Sequence, residues 1–389
     1  EAKVLRAYNY YELYTKFGDV PYTTKVLSIK ESMSIARTDR ATVIANMLAD
    51  LDEVINGNYL PTSYDADNKG RITRWAAMAI KAKIYLFEGN WMQVKNITST
   101  IMTEGGFKLF GSYAGLFEIA NEYNSEVILD AQYRPTSREH QMMYAFLPPS
   151  LGGYSQLSPL QELVDSYIML DGKTIKETGT SFDETHPYAN RDPRLKATVM
   201  YTGNSYTLVD GTEVEINCEK GEGKDGYGVG SDCSATGYYI KKYWDNTYRA
   251  TLYSGLNPIL IRYADILLLR AEALNKQQRQ EEALELLNMI RERAGLSLKT
   301  MDDFTNASDR TLAIEDAILQ ERPLELLGEG RRWFDLIRTG RAMKVMNDYF
   351  ENYIEAQTGD VCPRFTDEWQ LYWPVYYNNF LENANLVQN

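Results

Sequence analysis

The sequence predicts an all-α fold: antiparallel helical pairs carrying one large irregular insertion. Three observations predict it. Ala264, Leu267, Leu268, Ala271 and Leu274 recur at the helical period, and after 275–278 the pattern resumes as Ala283, Leu284, Leu287, Ile290 and Ala294 until Gly295 stops it. Small residues at Ala264, Ala271, Ala273 and Ala283 allow two helices to approach closely. Between 105 and 258 the helical period is lost, while Gly105-Gly106, Pro148-Pro149, Gly152-Gly153 and the glycines of 221–230 mark loops and short elements.

The elements follow in order. Residues 1–17 read as a helix with Val4, Leu5, Tyr8 and Tyr11 on one face; Gly18 caps it and Pro21 cannot continue it. Asp39 is the expected N-cap of a helix over 40–55, with Ile44, Met47, Leu48 and Leu51 inward. Thr73 caps 74–88, Gly89-Asn90 follows, and 91–102 completes a second helical pair. Within the insertion, 126–131 reads as a strand and 158–167 as a helix with Pro159 in its first turn. Residues 206–216 read as a strand pair around Val209-Asp210-Gly211-Thr212. Helical sequence returns at Leu260, continues through 310–327 and 329–353, and leaves 369–389 as an extended surface tail. The expected organisation is 1–104 and 259–389 as helical scaffold and 105–258 as the candidate ligand-binding insertion, in one domain overall.

Composition narrows the function. The 389 residues are 44% hydrophobic and 24% charged, as in a folded protein with a large core. A net charge of -13 argues against a general nucleic-acid binder, which needs basic density to displace counterions. No apolar run is long enough to span a bilayer. The first residues already read as helix, so the natural start is expected upstream. Two histidines and three cysteines, with no short cysteine spacing, make a zinc site improbable. Cys218 and Cys233 flank a glycine-rich loop, and a disulfide or two free thiols both fit; Cys362 is expected to be an isolated thiol. Asp65, Asp67 and Asn68 lack the complete calcium-loop pattern and its closing glutamate.

The acidic and basic residues of the helices read as structural. Arg262, Asp265, Arg270 and Glu272 are expected in a buried carboxylate–guanidinium network. Glu321 and Glu325 stand one turn apart on one helix face, whereas glycosidic hydrolysis needs carboxylates on opposite sides of a bond. Arg322 and Arg332 suit bidentate pairing with such groups, and Asp335 a buried cap or ion pair. No catalytic residue, metal site or cofactor is expected. Aromatics make up 12% of the chain, and a tyrosine in polar, glycine-rich sequence offers a flat apolar face and a hydroxyl, which suits a sugar ring.

Five separated motifs resemble the SusD/RagB family of surface glycan-binding outer-membrane lipoproteins of Bacteroidetes. They are 1–21 with its Phe17-Gly18-Asp19-Val20-Pro21 turn, 158–173, Asn190-Arg191-Asp192-Pro193-Arg194-Leu195, 258–275, and 321–340 with Glu329-Gly330-Arg331-Arg332-Trp333-Phe334-Asp335. They occur in the family's order over almost the whole chain. Two features depart from the pattern. The family's signal peptide, lipidated cysteine and first segment are not among these residues, and the closing Pro-Ile-Pro strand is replaced by Trp373-Pro374-Val375-Tyr376-Tyr377.

The resemblance implies tetratricopeptide-like helical pairs. It also implies non-catalytic capture of an oligosaccharide at the extracellular face of the outer membrane. The protein would be lipid-anchored and would deliver its ligand to a TonB-dependent transporter barrel. A scaffold of a nutrient-uptake complex is the alternative, and a glycoside hydrolase or lyase a more distant one. Stacking rings are expected in the insertion, exposed before ligand arrives: Trp244 foremost, then Tyr248, Tyr239, Tyr238, Tyr188 and Tyr227. Trp75 and Trp91 are expected in the core.

Overall fold

The computed structural model describes residues 1–246, 252–355, 359, 361–383 and 385–388. It is α-rich, with a few two-stranded ladders, and the chain divides into two compact units, residues 1–105 with 333–389 and residues 106–332.

In the first unit, helices α1 (Ala2–Phe17), α2 (Arg40–Asn56), α3 (Arg74–Phe87) and α4 (Trp91–Glu104) stand where expected. The caps are those the sequence offers. The Asp39 carboxylate accepts from the Ala41 N–H, Thr73 Oγ1 from Ala76 and Asn90 Oδ1 from Gln93. Gly18 takes φ 67° and returns its N–H to the Tyr14 carbonyl. The buried face of α2 is turned by one residue from the expectation. Val43, Met47, Leu51, Val54 and Ile55 are buried, and Ile44 and Leu48 lie at the boundary. Trp75 is in the core, whereas Trp91 is only half-buried.

The expected helix over 329–353 is broken. Arg332–Arg338 ends at Gly340, whose φ of 67° leaves the helical region; Ala342–Tyr349 restarts and widens into a π turn over Phe350–Glu355. The tail runs over the first unit as expected. Asn383 Nδ2 donates to the Ser32 and Ile35 carbonyls, Asn385 Nδ2 to Ser34, and Arg37 to the Val387 carbonyl. It also forms one short helix, Tyr377–Glu382, that the sequence reading did not foresee.

In the second unit, β1 (Val127–Asp130) is the expected strand. Its antiparallel partner is the segment Ile259–Arg262, which the sequence reading assigned to helix from Leu260 onward. Two β-branched residues, Ile259 and Ile261, suit the pleated surface, and helix α7 (Tyr263–Lys276) starts only after them. The expected helix over 158–167 is shorter, α5 (Gln161–Ser166). The expected hairpin is present, Ser205–Thr207 against Glu213–Glu215, with Gly211 at φ 80° in the turn. Helix α6 (Pro193–Thr198) leads into Val199–Met200, which pairs with Tyr239–Ile240.

Helix α8 (Gln280–Ala294) follows α7 after three residues, a connection that folds the chain straight back, and it ends on Gly295 at φ 75°. Helix α9 (Arg310–Glu325) packs on both. The irregular segment holds its own core around Met143, Leu147, Met200, Ile216 and Tyr239.

Candidate functional site

The most prominent cluster of charge in the second unit is closed to solvent. Arg262 donates to Glu126 at 2.7 Å, to Glu325 at 2.5 Å and to Glu329 at 2.8 Å. Arg194 donates to Asp192 at 2.7 Å, to Glu321 at 2.5 Å and to Glu325 at 3.0 Å. Arg291 bonds Glu321, Arg293 bonds Glu126 and Glu325, and Lys242 bonds Glu329 at 2.6 Å.

Burial alone would raise the Glu325 pKa, but Arg262, Arg293 and Arg194 outweigh it and hold the carboxylate ionised well below its ordinary range. Burial pushes Lys242 down to about 8, against the pull of Glu329. Asp265 pairs with Arg322 at 3.0 Å, and Glu272 is fully buried. Arg338 holds Asp335 at 2.7 Å. Glu321 and Glu325, the pair that superficially resembles catalytic carboxylates, are thus committed to guanidinium groups that tie α6, α8, α9 and the strand Ile259–Arg262 together.

An accessible pocket of about 260 Å³ lies elsewhere in this unit, lined among others by Tyr188, Tyr201, Asn190, Arg191, Lys196 and Leu170. Its walls follow from local sequence. Asp192 caps α6 by accepting from the Arg194 N–H, and Pro193 fits the first helical position. Asn190 takes φ 55°, a left-handed conformation that asparagine tolerates, and turns the chain ahead of Arg191. Arg191 then reaches the open end of α5, donating to the Val164 carbonyl at 2.6 Å and the Tyr167 carbonyl at 2.8 Å. The Leu170 N–H on the Asn190 carbonyl and the Asp192 N–H on the Ile168 carbonyl clamp the two segments together.

Tyr188 stacks on Tyr201 with ring centroids 3.8 Å apart and planes at 22°. Its hydroxyl donates to that of Tyr238 at 3.5 Å, which in turn donates to Gln161 Oε1 at 2.8 Å. Burial, then the neighbouring Tyr238, pushes the Tyr188 hydroxyl pKa far up, so it stays a neutral donor.

The six rings singled out from sequence fare differently. Tyr188 is half-buried and lines the pocket. Tyr227 is 37% exposed on the glycine-rich loop, with Lys220 Nζ 5.8 Å from its centroid. Tyr238 is buried and acts through its hydroxyl. Tyr239 is wholly buried, its hydroxyl donating to the Asp225 carbonyl at 2.6 Å; a ring with no free face cannot stack on a sugar, so the expected exposure fails there.

Trp244 is half-buried rather than exposed. It packs on the insertion's own core with ring centroids 4.9 Å from Tyr206 and planes at 83°, and its buried indole N–H has no hydrogen-bond partner among the described residues. Tyr248 lies outside the described residues. The sequence reading missed Tyr201, and also Tyr154, 45% exposed and stacked on Tyr144 at 5.1 Å. Tyr154 follows Gly152-Gly153 directly, so the glycine-rich context that marked Tyr227 would have found it. Tyr201 follows a strand and carries no such signal.

Cys218 and Cys233 are unbridged. Among the described residues no group of histidine, cysteine, aspartate or glutamate side chains suits a metal ion, and no helix is long and apolar enough to cross a membrane.

A model of the SusD family matches residues 116–389, and a second model, described as starch-binding associating with outer membrane, matches residues 1–86. Among curated relatives, SusD-like protein P25 of Formosa agariphila is 27% identical over 90% of this chain and 64% of its own length. SusD-like protein P38 of the same organism is 28% identical over 100% of this chain and 73% of its own length. The chain thus spans a little under two thirds of P25. Among solved structures, a SusD-like protein from Bacteroides fragilis matches at 25% identity with a TM-score of 0.80, over 100% of this chain and 78% of that one. A laminarin binding SusD-like protein matches at 24% identity and a TM-score of 0.69, over 100% and 77%, a likeness of fold alone.

Proposed function

The chain belongs to the SusD family, and on that premise we propose that it binds an oligosaccharide without chemistry. The proposal places it on the extracellular face of the outer membrane, lipid-anchored in its full form, where it passes the glycan to a TonB-dependent transporter barrel. The observation that supports glycan binding best is the pocket beside the Tyr188–Tyr201 stack. A stacked, hydrogen-bonded tyrosine is preorganised, so little side-chain entropy is lost when a sugar ring settles against it. At about 260 Å³ the pocket is smaller than the roughly 300–1,000 Å³ typical of drug-sized ligands. It suits one sugar unit, with the rest of the oligosaccharide on open surface. Tyr227, exposed on its loop, and Trp244, half-buried, are the further aromatic contacts.

Calorimetry against a panel of soluble glycans tests the reading. Binding of at least one oligosaccharide, with no product released on prolonged incubation, is expected. Turnover of the glycan would make the protein an enzyme. Binding to none of the panel, with retention of the barrel partner in co-purification, would leave the scaffold role.

A further inference from the structure

The pocket's charge is out of keeping with the chain as a whole. The chain carries a net charge of -13, yet two of the side chains that line the pocket, Arg191 and Lys196, are cationic and neither has a carboxylate within ion-pair distance among the described residues. Arg191 is buried, and its hydrogen-bond partners are the backbone carbonyls of Val164, Asp165, Tyr167 and Pro187. Those oxygens satisfy its donors without neutralising its charge. The one lining carboxylate, Asp192, is taken up by Arg194 at 2.7 Å inside the buried network.

A third cation stands beside these two. Lys241 Nζ reaches the Lys196 carbonyl at 3.3 Å and lies 5.1 Å from the Tyr206 centroid, again with no ion-pair partner among the described residues. Burial, then repulsion from Lys196, depresses its pKa. Elsewhere in the same unit the buried Arg194, Lys242, Arg262, Arg291 and Arg322 are each paired with at least one carboxylate. Two cations lining the pocket and a third beside it, none within ion-pair distance of a carboxylate among the described residues, leave an electrostatic position that an anionic group on the ligand would fill, and a charged acceptor there would make hydrogen bonds stronger than neutral ones. Acidic side chains stand farther out: Asp165, which attracts Arg191 but is bonded by Gln161 and 3.9 Å from Lys176; Glu118, which attracts Lys241; and the exposed Glu219.

We infer that the Tyr188–Tyr201 pocket takes an acidic sugar, with the anionic substituent directed to Lys196 and the ring to Tyr188. The inference rests on the glycan-binding reading above and adds the class of ligand to it. The anion is a carboxylate, as in a uronate, or a sulfate ester. Both present planar or pyramidal oxyanions to the same cations, and the experiment separates them.

The test is titration of the protein with tetragalacturonate, a sulfated carrageenan tetraose, maltotetraose and laminaritetraose, repeated with Lys196→Glu. Lys196 is exposed and outside the buried network, so both forms fold; matching circular dichroism checks this. The expected result is binding of one or both acidic glycans in preference to the neutral pair, and a loss of at least about tenfold in that affinity on Lys196→Glu. The better acidic ligand says whether the anion is carboxylate or sulfate. Neutral glycans bound as tightly as acidic ones, or acidic binding untouched by Lys196→Glu, overturn the inference and leave the glycan-binding reading standing. Binding of none of the four overturns it too, and the wider panel then decides the reading itself.

Discussion

The Arg262 guanidinium and the Glu325 carboxylate meet at 2.5 Å with both side chains fully buried, and Arg262 also takes the Glu325 backbone carbonyl at 2.5 Å. One arginine at the end of a strand thereby fixes both the side chain and the C-terminal carbonyl of α9. Glu126 and Glu329 complete its donors. The pair is therefore a joint between elements distant in sequence.

Removing one partner should expose that role. Glu325→Gln leaves Arg262, Arg194 and Arg293 short of a negative charge in a dry site and should cost about 3–5 kcal/mol at neutral pH. Urea denaturation of the two proteins measures it. The Glu325 pKa is held below its ordinary 4.5, so its contribution is complete above that value and is lost as pH falls through the depressed folded value. The gap between the two proteins should hold from pH 7 to 5 and narrow only in stronger acid. A variant as stable as the wild type would show the joint to be dispensable.

Asp130 carries the opposite sign. Burial raises its pKa from 3.8 to about 6, although Gln132 and Asn257 donate to it. The folded state binds the proton more tightly, so stability from this group falls as pH climbs from about 4 to 6 and stays low above. Asp130→Asn removes that dependence. Relative to wild type, the variant should gain up to about 3 kcal/mol between pH 4 and pH 7, at 1.36 kcal/mol per pKa unit. Thermal melts across that range report it; parallel pH profiles would contradict the raised pKa.

Ligand binding should separate the tyrosines. Tyr188→Ala is expected to weaken glycan binding by roughly 1–3 kcal/mol with the helices intact. Tyr239→Phe removes a buried hydroxyl that donates to the Asp225 carbonyl and accepts from the Ser234 N–H, and should lower the melting temperature while leaving affinity alone. Trp244→Ala decides the remaining expectation from sequence: lost affinity makes it a contact, whereas lost stability alone makes it core. Calorimetry paired with melting curves gives both readouts, and a Tyr188→Ala variant that binds as before would move the site away from this pocket.

Thiol chemistry should follow burial. Cys218 is buried, and burial pushes its thiol up to about 12, while Cys233 and Cys362 are partly accessible. At pH 8 iodoacetamide should label Cys233 and Cys362 well before Cys218, because the thiolate is the reacting form. Mass spectrometry of a time course resolves the order. Early labelling of Cys218, or its absence as a free thiol, would contradict the unbridged, buried arrangement.

The sequence by itself determined the helical scaffold. Periodic apolar faces, the caps at Asp39, Thr73 and Gly295, and the turn at Gly18 act through neighbours a few residues away, and local rules read them directly. Separated motifs gave the family for the same reason, since residue order carries them. Where the outcome depended on distant partners, tertiary structure decided. Leu260 and Ile261 became strand because Val127–Asp130 lies alongside. Tyr239 was drawn into a core assembled from Met143, Met200 and Ile216, and Trp244 packs against it. Tyr188, Tyr201, Arg191 and Lys196 line one pocket because a left-handed Asn190 and the Arg191 cap on α5 bring their segments together. A ring's exposure and a cation's missing partner are properties of three-dimensional surroundings, and no spacing along the chain records them.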